Sequence, residues 1–249
     1  MRAMFIRTEG LVIRTTEYKD SDLMVNVLTS DRGKLSFKAR GVRTNRSRMK
    51  AACQLLCYCE FTLFEKEGYL TLKEASVIES FFALRNDLES LALASYFAQA
   101  AEVVSQEDLP NPALLSLVLN CLHMLCTHGA SAKRIQSVFE LRLSCLAGYV
   151  PELNGCRVCG RADADRFLVS EGALQCSGCG QSGGLRMPLS AASLAAMRYI
   201  CSCDAKRLFS FTLSDPAEKE LSDLTEVYLA AQLERGFSAL DYYKSIQLL

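Results

Sequence analysis

The sequence predicts an α+β protein in which a small β-barrel precedes a helical domain. Three observations carry this: period-two hydrophobic patterning over about the first eighty residues, a change to helical spacing from residue 81 onward, and a pair of Cys-x-x-Cys knuckles that interrupts the helices.

Leu11, Val12 and Ile13 lead into a polar turn over residues 17–22. A strand over residues 23–28 follows, with Leu23, Val25 and Val27 on one face. Asp31-Arg32-Gly33 reads as a hairpin turn. Over residues 34–40, Leu35, Phe37 and Ala39 point one way, while Lys34, Ser36, Lys38 and Arg40 point the other. That alternation describes a half-buried strand with a basic outer face, which Gly41 ends. Residues 51–64 and 69–78 supply two further strands. Five strands joined by turns and one long loop fit a closed barrel of the OB-fold type over residues 1–80.

The helices come next. Residues 88–104 carry Leu91, Ala94, Phe97, Ala98 and Ala101 at helical spacing. Pro110 and Pro112 break the chain and open a helix over residues 113–127. Ser131 caps a helix over residues 132–147, with Ile135, Val138, Phe139, Leu143 and Leu146 inward. Ser190 starts a helix to residue 203, and Ser214-Asp215-Pro216 starts another that ends at Gly236. The helical domain therefore covers residues 81–150 and 186–249, on either side of an insert at residues 151–185.

In the insert, Cys156-Arg157-Val158-Cys159-Gly160 and Cys176-Ser177-Gly178-Cys179-Gly180 leave sixteen residues between the inner cysteines. Each knuckle places two thiols at the ends of a turn that closes on a glycine able to take positive φ. Cys156, Cys159, Cys176 and Cys179 form a complete tetrahedral sulfur set, and zinc is the expected ion. A full sulfur shell leaves no position for a reactive water, so one structural zinc is expected rather than a catalytic one. Residues 167–169 and 173–174 flank Glu171-Gly172 as a short hairpin. The other eight of the twelve cysteines (Cys53, Cys57, Cys59, Cys121, Cys126, Cys145, Cys201 and Cys203) lie mostly in apolar stretches. With no secretory leader in the N-terminal residues, they read as packed thiols in a reducing cytosol.

Half of the 249 residues are apolar, and 28 Lys and Arg balance 28 Asp and Glu, so net charge points to no partner. Local charge does. Arg32, Lys34, Lys38, Arg40, Arg43, Arg46, Arg48 and Lys50 are eight cations in a stretch without an acid, and Thr44, Asn45 and Ser47 in the loop add donors for phosphate oxygens. Cations tracking a barrel groove hold a nucleic-acid backbone without reading its sequence. Nearby aromatics that could stack on bases are Phe37, which alternates into the core, together with Tyr58 and Tyr69. Catalytic sets are thin. His123 and His128, five apart, do not share a helix face; no Gly-rich phosphate loop appears; Ser193 and Ser210 lack a base; and Glu65, Glu67, Glu218 and Glu220 fall on turns or solvated faces. No apolar run approaches the roughly 18 residues of a membrane span. The sequence argues for a cytoplasmic binding protein rather than an enzyme.

The whole pattern resembles the bacterial RecO family of DNA repair and recombination mediators. The resemblance rests on Thr8-Glu9-Gly10-Leu11-Val12-Ile13, on Glu17-Tyr18 with Ser21-Asp22, and on Thr29 with Gly33-Lys34. It continues through Ala39-Arg40-Gly41-Val42-Arg43 with Ser47, Phe139-Glu140-Leu141-Arg142-Leu143, Gly148-Tyr149 with Pro151, and the four-cysteine insert. The resemblance implies binding of single- and double-stranded DNA, annealing of complementary strands, and help in loading RecA on DNA coated by the single-stranded-DNA-binding protein. It implies RecR and the C-terminal tail of that coating protein as partners, the tail being held on the helical domain. One departure is visible: members often end with a basic Lys-Ser-Arg element, whereas here Lys244-Ser245 is followed by Ile246-Gln247. Two other readings stay open from the residues alone, a zinc-ribbon RNA-binding or translation-associated factor and a thiol oxidoreductase. Preference for RNA over DNA, and bound metal, discriminate them.

Overall fold

Five antiparallel or parallel pairings close the N-terminal strands into a barrel of order β1-β2-β3-β5-β4 in the computed structural model, which describes residues 4–179 and 184–248. The strands are β1 (Met4–Tyr18), β2 (Asp22–Thr29), β3 (Lys34–Ala39), β4 (Tyr58–Lys66) and β5 (Tyr69–Glu79). β1 pairs antiparallel with both β2 and β4, and the parallel contact of β3 with β5 closes the ring. The inward residues of β3 are those expected: Leu35, Phe37 and Ala39 are buried, and Phe37 meets Phe61 at 5.2 Å between ring centroids. Val12, Val25, Val27 and Leu63 complete the centre of this core.

The strand expected over residues 51–64 is corrected: it begins only at Tyr58. Ala52, Cys53, Leu56 and Cys57 are buried, a spacing of helical turns rather than of a pleat. The backbone follows, with the Cys53 N–H donating to Met49 O (3.2 Å), the Gln54 N–H to Ala51 O (3.2 Å) and the Cys57 N–H to Gln54 O (3.2 Å). Leu56 takes φ +65°. Its N–H and the carbonyl of Cys57 bond to Val12 (2.9 Å each), so this turn segment is latched to β1.

The chain divides into two compact units, Met1–Thr127 with Phe237–Leu249, and His128–Gly236. In the first, α1 (Leu88–Val104), α2 (Pro112–Thr127) and α6 (Ser238–Ile246) accompany the barrel. The Asp87 carboxylate caps α1 by accepting from the N–H groups of Glu89 and Ser90. α6 docks on α1: the Gln99 amide donates to Ser238 Oγ (3.1 Å) and accepts from the Ala239 N–H (3.1 Å), and Phe237 meets Tyr96 edge-on at 5.3 Å. The sequence did not anticipate α6, whose single turn pair buries only Leu240 and Tyr243.

In the second unit, α3 (Ala132–Leu146), α4 (Ala191–Ser202) and α5 (Asp215–Gln232) pack together. Ser131 and Ser190 cap α3 and α4 by accepting from the N–H groups of Arg134 and Ser193. α5 stops at Gln232 rather than at Gly236, because Glu234 itself turns left-handed at φ +51°. A four-stranded sheet of order β6-β8-β7-β9 accompanies these helices, with β6 (Glu152–Cys156), β7 (Arg166–Leu168), β8 (Ala173–Gln175) and β9 (Arg186–Pro188). The expected hairpin is β7 and β8; the outer strands β6 and β9 add to it. Tyr228 of α5 packs edge-on against Phe167 at 5.2 Å, and Gln232 donates to Val169 O (3.0 Å). Met1–Ala3, Leu249 and residues 180–183, including the Gly180 expected to close the second knuckle, lie outside the described residues.

Candidate nucleic-acid interface and metal centre

The eight cations occupy three settings. Arg32 sits on the β2–β3 turn, 3.7 Å from Asp31. Lys34 and Lys38 stand on the outer face of β3, half-buried. Lys38 Nζ lies 2.9 Å from Asp22 and 4.5 Å from the centre of the Tyr18 ring. Arg43, at the foot of the long loop, pairs with Glu17 (2.8 Å) and donates to Asp20 O (3.2 Å). Arg40, Arg46, Arg48 and Lys50 are exposed, and among the described residues no carboxylate pairs with them.

The loop that carries these four is anchored at its base. Val42, Ala52, Cys53 and Cys57 belong to the barrel core. The Gly41 N–H donates to Asp22 Oδ1 (2.8 Å) and the Arg43 N–H to Ser21 O (3.0 Å). The Gly41 N–H, with help from Lys38, holds the Asp22 carboxyl below the usual carboxylate range. Thr44 donates its hydroxyl to Gly41 O (2.8 Å). Of the aromatics considered, Phe37 is buried in the core. Burial, together with the hydrogen bond that Tyr58 donates to Glu9 (2.6 Å), pushes the Tyr58 phenol up to about 12, and Tyr69 is exposed. Sequence reasoning missed Arg85. Its guanidinium donates to Leu55 O (3.2 Å) and lines a cleft of about 500 Å³ with Arg43 and Lys50. A lone arginine in the 3-10 turn Phe82–Asn86 gave no signal, since only the loop's return brings Leu55 beside it.

The four cysteines converge. The sulfurs of Cys156, Cys159, Cys176 and Cys179 all lie within 4.8 Å of one another, with Cys176–Cys179 at 3.2 Å and Cys159–Cys176 at 3.6 Å. Sulfurs at the corners of a zinc tetrahedron stand about 3.8 Å apart, so the set fits that ion. Cys156 ends β6, and the Gly160 N–H returns to its carbonyl (2.7 Å) with Gly160 at φ +74°. Gly155 allows this turn to close, because a Cβ there would stand 2.8 Å from Gly160 O. On the other side the Ser177 N–H donates to Asp165 (2.7 Å) and the Cys179 N–H to Cys176 O (3.1 Å). The Cys159 N–H, aided by those of Cys176 and Val158 and opposed by desolvation, brings the Cys156 thiol down to about 6. A sulfur so surrounded is ready to ligate as thiolate. The arginines of the insert are engaged: Arg157 with Glu171, Arg161 with Asp163 (3.8 Å), and Arg166 with Asp165 O (3.5 Å).

His123 and His128 are exposed, Ser193 is buried within the α4 cap, and Glu218 and Glu220 accept from Ser131 and from the Ser190 N–H. A closed barrel with an acid-free cationic loop, in a chain that also carries a thiol cage, has the features of a polyanion-binding protein. The family of recombination protein O matches this chain in both its parts, the N-terminal one over residues 1–81 and the C-terminal one over residues 85–241. The DNA repair protein RecO of Acetivibrio thermocellus is 33% identical over 97% of each chain. Those of Alkaliphilus metalliredigens (28% identical, 98% of this chain and all of the relative) and Bacillus subtilis (29%, over 90% and 88%) are also similar. The chain belongs to the RecO family of DNA repair proteins.

Proposed function

We propose that this protein is a recombination mediator that grips single- and double-stranded DNA without sequence preference, anneals complementary strands, and acts with RecR in helping RecA load on strands covered by the single-stranded-DNA-binding protein. The carrying observation is the set of exposed, unpaired cations Arg40, Arg46, Arg48 and Lys50 on a loop whose base is fixed in the barrel core. Arg32, Lys34, Lys38 and Arg43 border it and serve the same backbone. The barrel is of the OB-fold type, a reading favoured by its five strands and their order. Neutralising two phosphate backbones lowers the repulsion that slows pairing, and base pairing then supplies the free energy, so no covalent step falls to the protein. Zinc on Cys156, Cys159, Cys176 and Cys179 braces the second unit, and the helical part receives the coating protein's tail. The protein works in the cytoplasm, at the nucleoid.

The test is binding of single strands, duplex and matched RNA across a salt series, paired with annealing of coated strands. Replacing Arg40, Arg43 and Arg46 together by Ala should weaken DNA binding and reduce the salt slope by about 2–3 units. An unchanged slope would remove the loop from the interface, and a marked preference for RNA would replace DNA by RNA as the ligand.

A further inference from the structure

We propose that Phe5 and Tyr69, both exposed, and the half-buried Phe64 form a ledge on which unpaired bases stack, beside the cationic strand. This inference rests on the nucleic-acid reading above and adds a second chemistry to it. Phe5 and Phe64 are directly opposed in the β1–β4 register, with ring centroids 5.2 Å apart and planes tilted by 57°. Phe5 is 65% exposed and Tyr69 78% exposed, unusual positions for rings of this size on a closed barrel. The β4–β5 register skips Lys73, and its ammonium lies 5.1 Å from the centre of the Phe64 ring.

Charge complementarity selects the occupant. Arg40, Lys66 and Lys73 line a cleft of about 480 Å³ with Phe64 and Tyr69, and Glu67 is the one carboxylate on that lining. An excess of cations around aromatic faces suits a ligand that carries both phosphates and flat rings. The cleft is also continuous with the cationic strand. Lys38 of β3 stands in register with Thr71 of β5, Thr71 with Phe64 of β4, and Phe64 with Phe5 of β1. One row across four strands thus runs from the cationic face of β3 to the ring pair. Arg40, one residue beyond β3, belongs to both the cationic stretch and the cleft.

Stacking tolerates any base, because every base has a π face. It discriminates by strandedness, because in a duplex those faces are already covered by neighbouring base pairs. A base lying flat on a ring keeps its pairing edge free. Such a ledge would therefore hold a strand in a form that a complementary strand can still read.

The experiment compares three ligands of equal length at one salt concentration: a single-stranded oligonucleotide containing 2-aminopurine, an abasic deoxyribose-phosphate strand, and a duplex. The full chain should bind the base-bearing strand about tenfold more tightly than the abasic strand, with quenching of 2-aminopurine fluorescence. Phe5→Ala with Tyr69→Ala, both at exposed positions, should erase that difference and the quenching while leaving duplex affinity unchanged. Phe64→Leu keeps apolar bulk without a ring and should act in the same direction at an unchanged melting midpoint. Equal affinity of the unaltered protein for base-bearing and abasic strands would overturn the ledge and leave the phosphate grip standing. Binding of none of the three ligands would overturn both. Unchanged strand affinity in the variants, with loss of binding to an acidic peptide, would assign the face to a protein partner and likewise overturn the ledge.

Discussion

Two irregular, cysteine-rich segments of this molecule are ordered by opposite means. The turns of residues 49–57 hold Cys53 and Cys57 against the barrel core, with Cys59 next to them at the start of β4, and there the thiols behave as small apolar side chains. Burial pushes the Cys53 thiol up to about 12. In the insert, Cys156 is brought down to about 6 by backbone N–H groups, and its partners gather round one point rather than spreading through a core. The strands there are three to five residues long. Such pieces cannot hold themselves together by ladder bonds alone. The difference teaches that cysteine content says little about role; convergence of the sulfurs decides it.

The contrast can be broken most sharply at the insert. Cys159→Ser should abolish stoichiometric zinc binding and destabilise the second unit by on the order of 5 kcal/mol, read as metal content and thermal melting. A metal-free variant that melts like the parent would place the insert in the same class as the barrel turns. Next comes reactivity. Because the thiolate is the attacking form, a thiol held near 12 rather than 9 carries about a thousandfold less of it at neutral pH. Mass-spectrometric mapping of alkylation after chelation should therefore label Cys156 well before Cys53, and early labelling of Cys53 would show that the turns open readily. The smallest effect concerns the loop anchor. Asp22 has its carboxyl lowered in the folded protein, so its contribution is present above about pH 4 and fades as acid protonates it. Asp22→Asn should lower stability slightly at neutral pH and flatten the acid side of the melting profile; identical profiles would mean that the core alone fixes the loop.

Much of this contrast was legible in the chain. Two knuckles at zinc spacing announce the cage, and the alternation of Leu35, Phe37 and Ala39 announces β3. The serine caps fix the starts of α3 and α4 to the residue. What escaped was set by partners distant in sequence. Ala52, Cys53, Leu56 and Cys57 look like strand residues until Leu56 turns left-handed, a choice made by its bond to Val12. β6 and β9 are too short to show a period, and α6 holds only Leu240 and Tyr243 inward. In the cationic stretch the residue types were plain, but the capture of Lys38 by Asp22 and of Arg43 by Glu17 needed the barrel to bring them together. Phe5 and Phe64 drew no notice because each stands alone in sequence and meets the other only across β1 and β4.

The docking of α6 on α1 carries a consequence for synthesis. The unit that holds the barrel is completed by Phe237 and the helix after it, with all of His128–Gly236 translated in between. Phe237 and α6 thus reach α1 only after that whole stretch has been made. Phe237, which Tyr96 meets edge-on, is supplied only then, so α1 gains this contact after the second unit has been translated.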